Sequence, residues 1–428
     1  MPQIEMTRQT LAAIQPKSHR AWGTALVMFL SAGLAFADNW PQWRGPKGTG
    51  NCLEKNLPTS WSPTQNVRWK VGLPEPGNST PVIWGERVFV TQAVGNRRTL
   101  MCFERANGKL LWQSGTAADE KEPTHETNPY CSGSPVTDGE RVIASFGSAG
   151  LFCYDFQGKE LWHRDFGKQS HMWGVAASPI IHNDLCLLNF GPGDRTFLIA
   201  VNKKTGATVW QHDESGGKTD KYIGSWSTPI VIETNGREEL IMPWPERVAA
   251  SDPKDGHELW SCRGLNPLVY TSALYAEGIV VAMGGFNGSM LAVKSVGSGD
   301  VTATHRLWQV PKTKQRIGSG VIAGDYVYVV DDPGVAECFE LRTAKPVWEA
   351  RLKGPGAKAD NWSSLVLAGN NLYSVNQSGD GFVFRASPRF EAVSTNSLGE
   401  LTRSSIAVSE GELFIRTYQN LWCISEKK

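Results

Sequence analysis

A serine or threonine at the head of an apolar run returns eight times along this chain, at Thr80, Ser134, Ser178, Thr228, Ser272, Ser319, Ser364 and Ser405, at spacings of 41 to 54 residues. A period of that length restricts a chain to architectures in which each unit buries its apolar faces against the next. Residues 78–112, NSTPVIWGERVFVTQAVGNRRTLMCFERANGKLLW, show the unit in full. It reads as four short strands, with turns at Gly85-Glu86 and Asn107-Gly108, because Gly and Asn accept the positive φ that tight hairpins need. Pro81, Pro135, Pro179 and Pro229 directly follow the first four starts, where proline can open the edge of a strand but not sit inside a paired one.

The other end of the unit repeats too. A tryptophan closes the fourth strand at Trp112, Trp162, Trp210, Trp260, Trp308 and Trp348, with Phe390 expected in the seventh place. The eighth unit ends at Trp422-Cys423-Ile424 without a fourth strand, whereas residues 66–70 look like a fourth strand, with Trp69, that lacks the first three. The two fragments complete each other. The sequence therefore predicts an all-β fold, an eight-bladed β-propeller of four-stranded antiparallel blades over residues 61–428, its last blade closed by the N-terminal strand. Trp69, Trp112, Trp162, Trp210, Trp260, Trp308 and Trp348 are expected to dock blade on blade, since large aromatics dominate burial.

Residues 1–37 differ from the rest. Lys17, His19 and Arg20 precede an uncharged stretch over 21–37 that ends in Ala35-Phe36-Ala37 before Asp38, the pattern of a cleaved secretory signal peptide; a retained anchor is the other reading. The chain is thus expected to be exported, periplasmic or extracellular, a monomer without a membrane span after cleavage. Three basic residues (Arg8, Lys17, Arg20) and one acidic (Glu5) leave with the segment, so the remainder is nearly neutral. No basic run offers a footprint for nucleic acid. Residues 38–60, rich in Gly, Pro and Asn, are read as an irregular lead-in packed across the propeller.

Eight cysteines in an exported chain raise the question of disulfides. Cys102, Cys153 and Cys338 occupy a repeat position held by Ala200 and Ala250 elsewhere, which marks a small buried site where free cysteine serves as a small hydrophobe. Cys52, Cys131, Cys186, Cys262 and Cys423 have no such explanation, and the sequence cannot pair them. Two positions after the small site stand Glu104, Asn202, Asp252 and Glu340, read as acceptors for the following turn.

These units resemble the pyrroloquinoline-quinone-like propeller repeat, visible in IAVNKKTGATVW and VAASDPKDGHELW. Through NWPQWRGPKGTG the chain is also similar to secreted bacterial propellers related to BamB, a scaffold of the outer-membrane barrel-assembly machinery. Ala344, in the glycine place of one turn, and the insert between Leu291 and Trp308 depart from the pattern. The resemblance to quinoprotein dehydrogenases implies a quinone (PQQ) with Ca²⁺. This chain has neither an adjacent Cys-Cys pair nor a Cys-x-x-Cys-His haem motif, so no cofactor is expected outside that alternative.

In a propeller the loops that precede the inner strands converge around the channel. Here they carry His125, Asn128 and Tyr130; His171, Met172 and Trp173; Lys221, Tyr222 and Trp226; Tyr270; Gln315 and Arg316; and Asp360, Asn361 and Trp362. Unlike the repeat positions, these differ from blade to blade, as a ligand-binding mouth requires. No catalytic set or metal site is read among them. The expected function is a non-catalytic binding or scaffold propeller for a protein, peptide or glycan partner. The alternatives are a PQQ-dependent dehydrogenase and a hydrolase or lyase using the mouth His and Arg residues.

Overall fold

The computed structural model describes residues 39–118, 122–214 and 222–426. The signal-peptide expectation and Lys221 lie outside them. Eight four-stranded antiparallel sheets succeed one another in chain order, and the last is completed by Val67–Gly72 paired with Asn420–Ser425. The chain is therefore an eight-bladed β-propeller closed by its N-terminal strand. Among the described residues no helix is long and apolar enough to cross a membrane.

The eight repeat starts form a ring of their own. The backbone N–H of Thr80 donates to Ser134 Oγ, Ser134 to Ser178, Ser178 to Thr228, Thr228 to Ser272, Ser272 to Ser319, Ser319 to Ser364, and Ser364 to Ser405, each at 2.9–3.1 Å. Ser405 N–H closes the circle on Thr80 Oγ1 at 3.1 Å. The pattern needs a short hydroxyl at every start because each buried N–H would otherwise be left unsatisfied between blades.

Towards the rim, each closing Trp lies directly across the strand pair from a small residue: Trp112 from Cys102, Trp162 from Cys153, Trp210 from Ala200, Trp260 from Ala250, Trp308 from Ala292, Trp348 from Cys338 and Trp69 from Cys423. A small partner leaves room for the indole, which also accounts for Cys423. A register shift just before the Trp recurs in these blades, so that Leu111, Leu161 and Val209 are the extra residues of a β-bulge. Cys102, Cys131, Cys153, Cys186, Cys262, Cys338 and Cys423 are free thiols. Burial pushes those of Cys102, Cys153 and Cys338 up to about 12.

Six of the indoles reach the neighbouring blade. Trp69, Trp112, Trp162, Trp210, Trp308 and Trp348 donate Nε1–H to the carbonyls of Arg105, Phe156, Lys203, Pro253, Leu341 and Ser387 at 2.7–3.0 Å. Beneath four of them lies the turn glycine of the next blade. A Cβ on Gly108, Gly158, Gly206 or Gly256 would come within 2.6–2.7 Å of the ring, and each has φ between +71° and +84°. Asn202 and Asp252 accept backbone N–H groups in those turns, while Glu104 and Glu340 accept from Asn107 and Thr343 side chains.

Two places depart from the expected repeat. In blade seven the register position of the Trp belongs to Ser394, opposite Val383, and not to Phe390. Phe390 precedes the strand and packs edge-on against Trp348 at 5.2 Å; Trp61 of the lead-in lies against Gly381 and donates its backbone N–H to Asn396 Oδ1 at 2.8 Å. In blade four Trp260 turns its indole to Glu239 Oε2 of its own blade. There the insert of blade five adds Gly299–Asp300 as a fifth strand, parallel to the outer strand Glu258–Arg263.

The lead-in crosses the end of the channel where the inner strands finish. Trp40 bridges Ile83 of blade one, Asn51–Cys52 adds in parallel to Val366–Ala368 of blade seven, and Glu54 receives Glu410 N–H and Gly411 N–H of blade eight. Arg44, 2% exposed, donates to Thr49 O and Gly320 O. With no carboxylate beside it, burial pulls its pKa down to about 9.

Candidate functional site

At the opposite end, the loops that lead into the inner strands are laced to one another. Asn78 Nδ2–H donates to Thr127 O, Asn128 Nδ2–H to Trp173 O, Trp226 Nε1–H to Gly174 O, and Trp226 N–H to Val269 O, at 2.7–2.9 Å. The lacing continues through Asp332 N–H to Gln315 O, Asn361 N–H to Asp332 O, Gln377 N–H to Asp360 O and Tyr418 N–H to Leu401 O. Side chains from separate blades are thereby fixed around one mouth.

One arc of that mouth is aromatic. His171 meets Trp226 edge-on at 5.0 Å, Trp173 lies 6.0 Å from Trp226 and 6.2 Å from Tyr222, and Trp226 lies 5.3 Å from Tyr270. These five side chains come from three successive loops. His171 is buried, Trp173, Trp226 and Tyr270 are half-buried, and Tyr222 and Met172 are exposed. Gly285 permits this packing, since a Cβ there would stand 2.3 Å from the Tyr270 ring. Phe286, beside it, is exposed.

The facing arc is polar and centres on Asp332. Its Oδ1 receives Trp362 Nε1–H at 2.7 Å and its Oδ2 receives Gln315 Nε2–H at 2.9 Å. Burial pushes this carboxyl up to about 6, with Asp360 and Asp331 adding their charges against the pull of the Trp362 hydrogen bond and Arg403. The Tyr270 hydroxyl is likewise raised to about 12 by burial and by Asp332. Arg403 stacks over Trp362 at 5.1 Å and donates to Gln377 Oε1 and to Tyr418 Oη.

The remaining expected residues serve the loops. His125 Nδ1 pairs with Thr127 Oγ1 at 2.7 Å; Tyr130 donates to Glu122 O at 2.7 Å beneath the Arg98 guanidinium. Asn361 bonds Ser363 O and Ser374 Oγ in the interior. Arg316 does not line the mouth: it is 1% exposed and paired with Glu337 Oε2 at 2.5 Å. Asp332, Phe286, Arg403 and Tyr418 were not among the expected residues. Asp332 and Phe286 sit on hairpins between the second and third strands, which end at the same face as the loops; their signals are the Asp-Asp-Pro-Gly and Gly-Gly-Phe-Asn-Gly turns.

Calcium beside a quinone calls for converging side-chain oxygens. Among the described residues the one group of three His, Cys, Asp or Glu side chains close enough to share an ion is Asp252, Asp255 and His257. It lies on the turn before the outer strand of blade four, not at the mouth, and His257 Nδ1 is bonded to Asp255. Among the described residues no such group converges at the mouth.

A family model described as "Outer membrane protein assembly factor BamB" matches residues 7–189, 96–350 and 294–394. The outer membrane protein assembly factor BamB of Burkholderia pseudomallei (strain K96243) is 21% identical over 385 residues, covering 76% of this chain and 90% of that protein. Among solved structures, BamB from Moraxella catarrhalis superposes with a TM-score of 0.62 at 14% identity, covering 84% of this chain and 96% of that one. A quinohemoprotein alcohol dehydrogenase from Comamonas testosteroni gives 0.65 at 11% identity, covering 91% and 81%. Structural likeness at such identities speaks for the fold alone.

Proposed function

The chain belongs to the family of the outer membrane protein assembly factor BamB, and from that premise we propose that it is a non-catalytic, exported scaffold that holds an extended segment of a partner protein at its aromatic mouth. The observation that carries this reading is the contiguous arc of His171, Trp173, Tyr222, Trp226 and Tyr270. Aromatic anchors that are half-buried before binding lose little side-chain entropy when covered, and such residues carry most of the energy of protein interfaces. The polar arc around Asp332 would orient the segment by hydrogen bonds. A quinone-dependent reading has less support, because among the described residues no group of three such side chains at the mouth is close enough to share an ion.

The test is capture of partners from the native envelope by cross-linked protein, comparing wild type with Trp173→Ala/Tyr222→Ala/Trp226→Ala. The variant is expected to lose partners that the wild type retains, with an unchanged far-UV spectrum. Recovery of the same partners by both proteins would refute the mouth as the binding surface. The mass of the purified protein addresses the remaining points: a chain beginning at Asp38 and carrying no adduct is expected.

A further inference from the structure

The lead-in takes up backbone groups that the inner strands present at their end of the channel. The residue three places after each repeat start lies an odd number of residues before the pair that closes the first hairpin. Its N–H and C=O therefore turn away from the second strand and into the channel. In blade one that residue is Ile83, which exchanges both bonds with Trp40 at 2.9 Å. Thr137 N–H of blade two donates to Pro41 O at 2.9 Å, Ile322 O of blade six accepts Asn51 Nδ2–H at 3.2 Å, and Leu367 N–H of blade seven donates to Gly50 O at 2.8 Å. In blade eight Glu54 caps the hairpin instead, through Glu410 N–H and Gly411 N–H.

Three consecutive blades are passed over. The lead-in follows the ring from Trp40 on blade one to Pro41 on blade two, then turns where Gly45 N–H donates to Gln42 O and crosses to blade six, where Arg44 reaches Gly320 O. Ile181, Val231 and Tyr275 hold the corresponding places in blades three, four and five. Among the described residues no group outside their own blades bonds their backbone. Blade four meets the lead-in through the Ile230 side chain, 3.3 Å from where a Cβ on Gly48 would stand. Between these inner strands and residues 39–54 lies a cavity of about 1120 Å³, lined on the blade side by Ile180, Ile181, Val231, Ile232 and Tyr275. Small-molecule pockets run to roughly 300–1,000 Å³, so this one is large enough for a stretch of chain.

Blade four gives the cavity its charge. Glu233 is exposed there, and Glu238 is paired with His182 of blade three at 3.1 Å, so two carboxylates stand against one histidine. We infer that this uncovered arc of the ring is the docking site for an extended segment of a partner protein, which continues the path that Trp40 and Pro41 begin and bonds the backbones of Ile181, Val231 and Tyr275 in turn. The occupant is a polypeptide because the groups on offer are those that the molecule's own chain satisfies in blades one, two and seven. Apolar side chains of the segment cover Ile181, Val231 and Ile232, and a lysine or arginine meets Glu233. In this mode the backbone supplies affinity, and the side chains between the bonds supply specificity. The site lies at the end opposite the aromatic mouth and does not depend on it.

The probe is a pooled set of acetylated, amidated heptapeptides with apolar residues at alternate positions and lysine or glutamate at the centre. Retention on the purified protein is measured together with hydrogen exchange read by mass spectrometry. Protection of residues 180–182, 230–233 and 274–276 is expected, with the lysine set retained about fivefold better than the glutamate set. Val231→Pro removes a channel-facing N–H and no bond to the second strand, and should weaken retention about fivefold. Glu233→Lys, an exposed change, should abolish the preference for lysine, so the test does not depend on the proline variant folding. Trp173→Ala/Tyr222→Ala/Trp226→Ala at the mouth should alter neither result. No retention, protection centred on the mouth, or retention indifferent to both Val231→Pro and Glu233→Lys would overturn the proposal. So would protection of the same amides without peptide, whether in a self-associated form or only while residues 1–37 remain attached, which would give the site to a second copy or to that segment.

Discussion

Single residues in this molecule are chosen in pairs across strands or across blades. Cys102, Cys153, Ala200, Ala250, Ala292, Cys338 and Cys423 are small because each faces an indole, and the turn glycines are glycine because the neighbouring blade's indole lies on them. Gly206→Val combines a β-branched side chain at φ +71° with the Trp162 ring 2.7 Å from the new Cβ; chemical denaturation should show a loss of about 1–3 kcal/mol. Asp332 makes a second prediction. Its folded-state value of about 6 lies above the unperturbed 3.8, so the folded protein holds that proton more tightly than the unfolded chain. Its contribution to stability is therefore greatest at low pH and is lost as pH rises from about 4 to about 6, then stays level. Asp332→Asn should flatten that part of the curve of thermal unfolding against pH; an unchanged slope would dissociate Asp332 from it. The reading of Cys102 as a small buried site came from the repeat alone. Cys423 escaped it, because its Trp partner belongs to a strand at the other end of the chain, and Phe390 was misplaced because a register in a blade without a Trp cannot be counted from sequence.

At the scale of strands and loops, periodicity revealed nearly everything that repeats and little of what does not. The hairpins and the latch of Val67–Gly72 on Asn420–Ser425 follow from one recurring pattern, whereas the bulge before each Trp shows only in the strand register. Trp69, buried between blades eight and one, anchors that latch, and Trp69→Ala should lower stability by about 3–5 kcal/mol as measured by urea unfolding. The path of the lead-in was not legible, since Trp40, Arg44 and Asn51 find their partners on blades one, six and seven through contacts with no local signature. The mouth was half legible. Loops before the inner strands gave the aromatic arc, whereas the hairpin of Asp332 looked like an ordinary turn, and the pull of Glu337 that draws Arg316 inward comes from a strand beyond the loop.

The propeller is held as a circle. Eight N–H to hydroxyl bonds pass from blade to blade and return to the first, so no blade has a free inner flank. Ser272 both receives Thr228 N–H and donates to Thr228 O at 2.6 Å. Ser272→Ala would orphan buried backbone groups and is expected to cost about 1–3 kcal/mol, read from the denaturation midpoint. Circularity has an effect in time as well. A ribosome releases Val67–Gly72 long before Asn420–Ser425 exists, so one of the earliest strands waits unpaired until synthesis is almost finished. During that interval Arg68 and Lys70 are the guards that keep a bare edge from finding the wrong neighbour, and a chain cut short before Asn420 would have nothing left for them to wait for.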